Sequence, residues 1–271
     1  MIYIVTALQC EAKPLIKHYH LNGRQAENGF RIYENENIRL VVAGIGKIAA
    51  AAATAYLQAQ TPHEQAAWLN LGVAGHGTLA VGELVLANKI KDASSQTNWY
   101  PPQLFSTTAR SISVVSVDTT ETEYKGDNAY EMEATGFYAT ACRFSSTELI
   151  QVCKIISDNH AHPVDKVSPK HVEEIISTNL EEINDIVQAL QTLQRQLIEQ
   201  SSPAELKVFL TQWHFTVSQQ HQLQRLLQRW QARSGSSAMP DMFADARNGK
   251  TVIKELQQRL EKQPLMFGEI A

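Results

Sequence analysis

The sequence is poor in cysteine and has no long apolar run. Three cysteines occur among 271 residues, Cys10, Cys142 and Cys153, and no two form a C-x-x-C pair. This spacing argues against a structural zinc site or a disulfide framework and favours a reducing compartment. No apolar stretch approaches the roughly 20 residues that cross a bilayer, and the first residues lack the basic segment of a secretion signal. We therefore expect a cytoplasmic protein with no membrane partner.

An excess of charge of one sign is also missing. The formal net charge is −4, charged residues make up 19% of the chain, and apolar residues make up 44%. Such a chain carries no global field that would attract nucleic acid or an anionic membrane. Its length is sufficient to bury a full hydrophobic core.

Several motifs that carry chemistry are incomplete. No G-x-S-x-G elbow occurs, so the sequence does not support a serine nucleophile. His160 and His162 form an H-x-H pair, but no second ligand set accompanies them, and we expect no metal. The turn at residues 44–47 has the sequence Gly-Ile-Gly-Lys, yet a phosphate-binding P-loop would need glycine and serine or threonine where Val41 and Ile48 stand. We therefore expect no cofactor.

The first 156 residues instead show short apolar runs that alternate with helical stretches. The runs predict strands at residues 2–7, 32–37, 38–43, 66–71, 83–87, 112–117 and 149–156. Helices are predicted from Pro14 toward His20, over residues 48–58 and over residues 131–144. This alternation predicts an α/β fold with a mixed central sheet flanked by helices. Ligands of such sheets bind at the carboxyl ends of the strands.

The chain changes character after Pro169. Apolar residues at helical spacing predict one long helix to about Gln200, a second helical stripe over residues 206–230 with a possible break near Ser218, and a short helix over residues 250–262. We therefore predict a catalytic domain at residues 1–200 and a helical extension at residues 201–271. Arg225, Arg229 and Arg233 share one face of the extension. That face would suit a partner protein or, less well, a nucleic acid; the favoured alternative is that the arginines are solvated.

Two acids, Glu131 and Glu133, flank Met132 where the third helix is predicted to begin. The unpaired N–H groups and the dipole of a helix N-terminus favour negative charge. Taken alone, the pair is most simply explained as solvated first-turn acids.

The pair belongs, however, to a set of short segments in a particular order. The set is Glu11, Gly44-Ile45-Gly46-Lys47, Gly72-Val73-Ala74-Gly75, Glu131-Met132-Glu133-Ala134 and Ile156-Ser157-Asp158. With it, residues 1–200 resemble the nucleoside phosphorylase family, and within it the methylthioadenosine/S-adenosylhomocysteine nucleosidases. The resemblance implies a three-layer fold with a mixed central sheet between helices, assembly as a homodimer and a small-molecule nucleoside as ligand.

The resemblance also implies roles for individual residues. Asp158 would protonate N7 of a purine leaving group, and Glu11 would activate the attacking water. The implied substrate-binding residues are Gly75, Glu131, Met132, Glu133, Lys154 and Ser157. Among these, Met132 and Glu133 would hold the ribose. The residue types fit the chemistry, because cleavage of an N-glycosidic bond needs an acid for the leaving group and a carboxylate for the water.

The same resemblance favours hydrolysis over phosphorolysis. Phosphorylases hold phosphate with arginines and a serine, whereas this chain has Asn70 and Val73 in the corresponding turn and Glu11 after the first strand. Val73, Lys154 and the pair Thr119-Thr120 replace the serine, arginine and phenylalanine that nucleosidases carry. These replacements leave the base and the 5′ substituent open. The alternatives are a phosphate-dependent phosphorylase and a non-catalytic nucleoside-binding module of the same fold.

Overall fold

A computed structural model describes residues 1–24, 29–60, 66–201, 205–234, 238 and 240–262. The chain divides into two compact units, Met1–Gln194 and Arg195–Ala271. The division falls near the end of a helix that also contains the domain boundary predicted at residue 200. Among the described residues, no helix has the length and apolar character needed to cross a bilayer.

The first unit is built on a large mixed sheet. Its strands are β1 Ile2–Thr6, β2 Asn22–Arg24, β3 Arg31–Glu34, β4 Ile38–Val42, β5 Ala67–Gly75, β6 Leu84–Asp92, β7 Asn98–Trp99, β8 Arg110–Ser116, β9 Asn128–Glu131 and β10 Ile150–Asp158. They run in the order β10-β6-β8-β9-β5-β1-β4-β3-β2, with β7 beside β6. An additional pairing of β10 with β5 closes five strands into a ring. The predicted mixed sheet is confirmed.

Strands β1, β5 and β10 form the centre of this sheet. β1 lies parallel to β4 on one side and to β5 on the other, and β5 lies parallel to β10. All residues of β1 and β10 are buried, which explains the nearly continuous apolar run of β1. β10 also buries the polar side chains of Gln151 and Lys154. Trp68 of β5 anchors the core, with its ring 4.6 Å from that of Tyr3 and 6.4 Å from that of Phe137.

In the described part of this unit five α-helices begin: α1 Gln9–His18, α2 Lys47–Ala59, α3 Ala134–Ala141, α4 Pro169–Thr178 and α5 Leu180–Ser201. Two short 3-10 helices lie at Thr147–Leu149 and Val164–Lys166. Helices α2 and α3 approach closely because residue 136 has no side chain. A Cβ atom at Gly136 would lie 2.0 Å from the carbonyl oxygen of Lys47.

Three predicted helix boundaries are wrong. The helix predicted from Pro14 begins at Gln9, so Pro14 lies inside it and Glu11 lies in its first turn. The helix predicted over residues 131–144 begins only at Ala134, and Glu131 is the last residue of β9. The reason is tertiary: β9 pairs with β8, while the Glu131 carboxylate accepts the backbone N–H groups of Glu133 and Ala134 at 2.9 and 2.7 Å. The single helix predicted over residues 169–200 is broken at Asn179, whose side-chain amide donates to the carbonyls of Gly82 and Ile175.

The second unit has its own helices and its own core. It contains α6 Glu205–Gln212, α7 Val217–Ser234 and α8 Gly249–Lys262, with a 3-10 helix at Pro240–Phe243. The predicted stripe over residues 206–230 is thus two helices, and the predicted short helix is present. Phe209 packs on Trp213 and Phe243, and the Trp213 indole donates to the carbonyl of Ala246 at 2.9 Å. Residues 263–271 of the predicted helical extension lie outside the described residues.

Candidate active site

A cavity of about 330 Å³ lies in the first unit at the carboxyl ends of β1, β5, β9 and β10. All of the predicted site residues except Lys154 line it: Glu11, Gly75, Glu131, Met132, Glu133, Ser157 and Asp158. With Glu121, five acids face this space. Among the described residues that line it, none is lysine, arginine or histidine.

Glu11 is held rigidly within the first turn of α1. Its Oε2 atom accepts the N–H groups of Ala7 and Leu8 at 2.8 and 2.9 Å, and its Oε1 atom accepts the N–H of Val73 at 3.1 Å. Burial raises the pKa of Glu11, against the lowering effect of Lys154 and of these N–H groups. Gly72 permits this packing, because a Cβ atom there would lie 2.8 Å from Oε1 of Glu11.

Lys154 lies beneath the cavity floor and pairs with acids. Its ammonium, 1% exposed, lies 2.9 Å from Oε2 of Glu131 and 3.9 Å from Oε2 of Glu133. Burial alone would raise the pKa of Glu131, but Lys154 and the hydroxyl of Ser116 lower it. Burial would lower the pKa of Lys154, but Glu131, Glu133 and Glu11 raise it. The pair therefore stays ionised.

Glu133 has a different environment from Glu131. Its Oε1 atom accepts the backbone N–H of Gly46 at 2.8 Å, which connects it to the turn before α2. Burial, followed by repulsion from Glu131, raises the pKa of Glu133 to about 7 even though Lys154 opposes the shift. This carboxyl can therefore gain or lose a proton near neutral pH. Met132, between the two acids, lines the cavity.

Asp158 ends β10 with both carboxylate oxygens occupied. The hydroxyl of Ser157 donates to Oδ1, and the hydroxyl of Tyr124 donates to Oδ2. A Cβ atom at Gly75 would lie 2.5 Å from Oδ2 of Asp158 and 2.6 Å from the ring of Tyr124. Only glycine fits at this position, because Asp158 and the ring of Tyr124 both lie against its backbone. The acid and the phenol can therefore lie side by side.

Sequence reasoning missed Tyr124. The residue lies in the segment between β8 and β9, which has no periodic pattern to indicate which side chain turns inward. Gly75 was the only available signal, since a glycine at a strand end predicts that something approaches closely. It does not predict what approaches.

The rest of the cavity wall is largely apolar. Residues of α1 and of the segment entering α4 contribute one group: Leu8, Cys10, Val164, Val167, Pro169 and Val172. The segment after β8 contributes Val117, Thr120 and Glu121, so one of the two threonines that replace the expected phenylalanine does face the space. Across the described residues, no group of three or more His, Cys, Asp or Glu side chains is arranged to hold a metal ion.

Comparison with known proteins finds no family model and no curated protein that matches this sequence. Solved structures do match. The apo 5′-methylthioadenosine nucleosidase of Arabidopsis thaliana superposes with a TM-score of 0.60 at 13% identity, over 70% of this chain and 95% of that chain. A methylthioadenosine/S-adenosylhomocysteine nucleosidase of Colwellia psychrerythraea in complex with adenine gives 0.54 at 19% identity, over 70% and 94%.

A futalosine hydrolase of Helicobacter pylori matches similarly, with a TM-score of 0.53 at 17% identity, over 69% of this chain and 97% of that chain. At these identities the matches show a shared fold. The first unit therefore has the fold of these nucleosidases, which confirms the fold implied by the resemblance to the nucleoside phosphorylase family.

Proposed function

We propose that this protein hydrolyses the N-glycosidic bond of a purine nucleoside, with a 5′-modified adenosine as the substrate class. One observation carries the proposal. Two buried carboxylates with different environments, Glu11 and Asp158, face one cavity whose described lining contains five acids and no basic side chain. The matching fold supports it, since several of the proteins that share it are nucleosidases of methylthioadenosine or S-adenosylhomocysteine.

The proposed reaction uses the two carboxyl groups at opposite ends of the bond that breaks. Asp158 gives its proton to N7 of the base, and the electrons of the C1′–N9 bond move to the leaving base. Water adds to the oxocarbenium-like carbon C1′ while Glu11 takes one of its protons. The products are free base and free sugar, and one proton must return from Glu11 to Asp158 through solvent.

The charge of the cavity supports water as the nucleophile. A phosphate dianion needs arginine, lysine or a cluster of N–H donors to offset its charge. Here Lys154 is already paired with Glu131 beneath the floor. The same negative surroundings stabilise a cationic sugar in the transition state.

The sugar and its 5′ substituent would lie against distinct parts of the wall. In this proposal Met132 and Glu133 hold the ribose, with the Glu133 carboxylate bound to its hydroxyls, and Gly75 contributes its backbone. The apolar residues in and just before α1 and α4, Leu8, Val167 and Val172 among them, suit a 5′ group without charge. Glu131 and Lys154 keep Glu133 in place.

The test is incubation of the protein with a panel of purine nucleosides, with and without inorganic phosphate, while free base and sugar products are followed. We expect base and free sugar at equal rates in both conditions. Sugar 1-phosphate formed only when phosphate is present would overturn hydrolysis. Release of no base from any nucleoside that binds would favour a non-catalytic module.

Two variants test the residue roles within that assay. Asp158→Asn and Glu11→Gln should each lower kcat by about 10²–10⁴-fold, since each removes a positioned acid or base. Asp185→Asn and Glu181→Gln make the same chemical changes on the exposed face of α5 and should leave kcat unchanged. Full activity of Asp158→Asn on every cleaved nucleoside would contradict the mechanism.

A further inference from the structure

We infer that Tyr124 is a positioning residue for Asp158, and that its hydroxyl stabilises the carboxylate left behind when the proton passes to the leaving base. This inference rests on the proposed function, in which Asp158 is the acid. Tyr124 acts through Asp158 and is not among the residues that line the cavity.

The hydrogen bonds fit the ionised form of the acid. Tyr124 donates to Oδ2 and Ser157 donates to Oδ1, so both oxygens of Asp158 accept. An ionised carboxylate is purely an acceptor, whereas a protonated one must also place its own hydrogen. Two hydroxyl donors therefore favour the state reached after proton transfer, and hydrogen bonds to charged groups are the stronger kind.

The tyrosine is held in place on several sides. Its side chain is 6% exposed, and the ring of His160 meets it edge-on at 5.3 Å. Gly75 leaves room for the ring directly beside Asp158, where any side chain would collide with both groups. The hydroxyl is thus fixed before substrate binds, so it need not reorganise during the reaction.

The backbone of Tyr124 is strained. Its φ of +43° lies in the left-handed region, which bulky residues rarely adopt. Such a conformation persists only where the surrounding structure imposes it, and it commonly occurs at functional sites. Glycine or asparagine would relieve the strain, but neither would bring a phenol to Asp158.

The phenol remains a donor over the whole working range of pH. Burial, with the hydrogen bond to Asp158 in second place, raises the pKa of Tyr124. The tyrosine therefore does not serve as the acid itself. If it served only to fill space, its ring would suffice, and the hydroxyl would make no difference to the chemistry.

Tyr124→Phe separates these two roles, because it keeps the ring and removes the hydroxyl. We expect kcat to fall about 10- to 100-fold with KM nearly unchanged, as for loss of a hydrogen bond to a charged group. The high-pH limb of the kcat profile should move to higher pH, since loss of a donor to the ionised form favours the protonated form. Tyr138→Phe removes an equally buried phenol from α3 and should change neither. Unchanged kcat and profile in Tyr124→Phe would overturn the inference.

Replacement of Tyr124 by 3-fluorotyrosine should shift the high-pH limb of the kcat profile in the opposite direction. The fluorinated phenol is a stronger donor, so the high-pH limb should move to lower pH in a protein that keeps the ring and the hydroxyl. A limb that moves in the same direction in both variants would contradict a role through the hydrogen bond. This variant also keeps the inference testable where Tyr124→Phe fails to fold.

A measurement without turnover distinguishes failure of the inference from failure of the proposed function. With carboxyl-¹³C-labelled aspartate, and Asp158→Asn to identify the signal, NMR follows the pH at which the Asp158 signal changes. That pH should be higher in Tyr124→Phe than in the wild type. No difference would overturn the inference whatever the activity. A difference in a protein that cleaves no nucleoside would support the hydrogen-bond role of Tyr124 and overturn the proposed function.

Discussion

Lys154 supplies one positive charge to three buried acids. Its closest partner is Glu131 at 2.9 Å, while Glu133 lies at 3.9 Å and Glu11 acts on it from a greater distance. Burial raises the pKa of both Glu11 and Glu133, against the lowering effect of Lys154. For Glu133 the result is a pKa of about 7, so this carboxyl can exchange a proton near neutral pH.

Stability should depend on pH through Glu133. Its pKa of about 7 in the folded state lies above the ordinary glutamate value of 4.5. The native state therefore binds more protons, and the stabilising contribution is full below about pH 4.5 and lost as the pH rises through 7. The glutamine of Glu133→Gln does not titrate, so the variant should not lose this stability as the pH rises. Its free energy of unfolding, relative to that of the wild type, should therefore increase by on the order of 1–3 kcal/mol from pH 4.5 to pH 7.5. Urea unfolding at both pH values measures this, with the exposed Glu181→Gln as control; an equal pH dependence in both variants would contradict it.

Removal of the buried cation should be costly. Lys154→Met leaves Glu131 buried without its partner, and we expect a loss of about 3–5 kcal/mol in the free energy of unfolding. Lys154→Arg keeps the charge but must fit a larger head group, so a loss of about 1–3 kcal/mol is expected. Chemical denaturation at neutral pH compares the two. A Met variant as stable as the Arg variant would show that the charge is not what matters.

Among individual residues, the sequence indicated acids that line the cavity but not the groups that hold these acids in place. Glu11, Glu133 and Asp158 were found from order and residue type, because the chemistry needs carboxyl groups at strand ends. Tyr124 and the N–H groups that hold Glu11 depend on how loops and turns fold back, which no local pattern records. The roles assigned to the predicted residues stay predictions until activity is measured.

At the scale of elements, the strands were predicted more reliably than the helix boundaries. Mostly apolar segments such as residues 2–7 and 149–156 indicate a buried strand almost by themselves. The short strands β2, β7 and β9 contain no such segment and were not predicted. The start of α3 was misplaced because Glu131 looks like a first-turn acid, whereas it caps the helix from the end of a strand. The break at Asn179 depends on a hydrogen bond to Gly82, about a hundred residues away in sequence, and so has no local signal.

The packing of α2 against α3 predicts an effect opposite to helix propensity. Gly136→Ala would improve the intrinsic propensity of α3 by about 1 kcal/mol. It would also place a Cβ atom 2.0 Å from the carbonyl oxygen of Lys47, so the helices must separate. We expect a net loss of about 1–3 kcal/mol by chemical denaturation. Gly23→Ala, where a Cβ atom would meet only ordinary contacts, is the matched control. Stabilisation by Gly136→Ala would refute the close approach.

For the whole molecule, the main feature is that each unit has a separate hydrophobic core. The core of the first unit contains Trp68 and Phe137, and that of the second contains Phe209 and Trp230. The expected homodimer, and a docking role for residues 201–271, stay predictions.

Separate cores predict separable unfolding. Phe209→Ala removes a fully buried ring from the second core and should destabilise that unit by about 3–5 kcal/mol, while the transition of the first unit changes little. Phe137→Ala should do the reverse. Differential scanning calorimetry resolves the two transitions. A single transition that moves equally in both variants would contradict independent cores.

The ring of five strands has a consequence for synthesis of the chain. β5 has strands along both of its edges only after β10 pairs with it, and Asp158 is the last residue of β10. A nascent chain therefore carries Glu11 and the glycine turn of β5 for a long time before the opposing acid emerges. At about 5–20 residues per second, synthesis of residues 195–271 then occupies several further seconds. During that interval β10 can pair with β5 and complete the ring of strands, while the chain is still attached to the ribosome and separated from other copies.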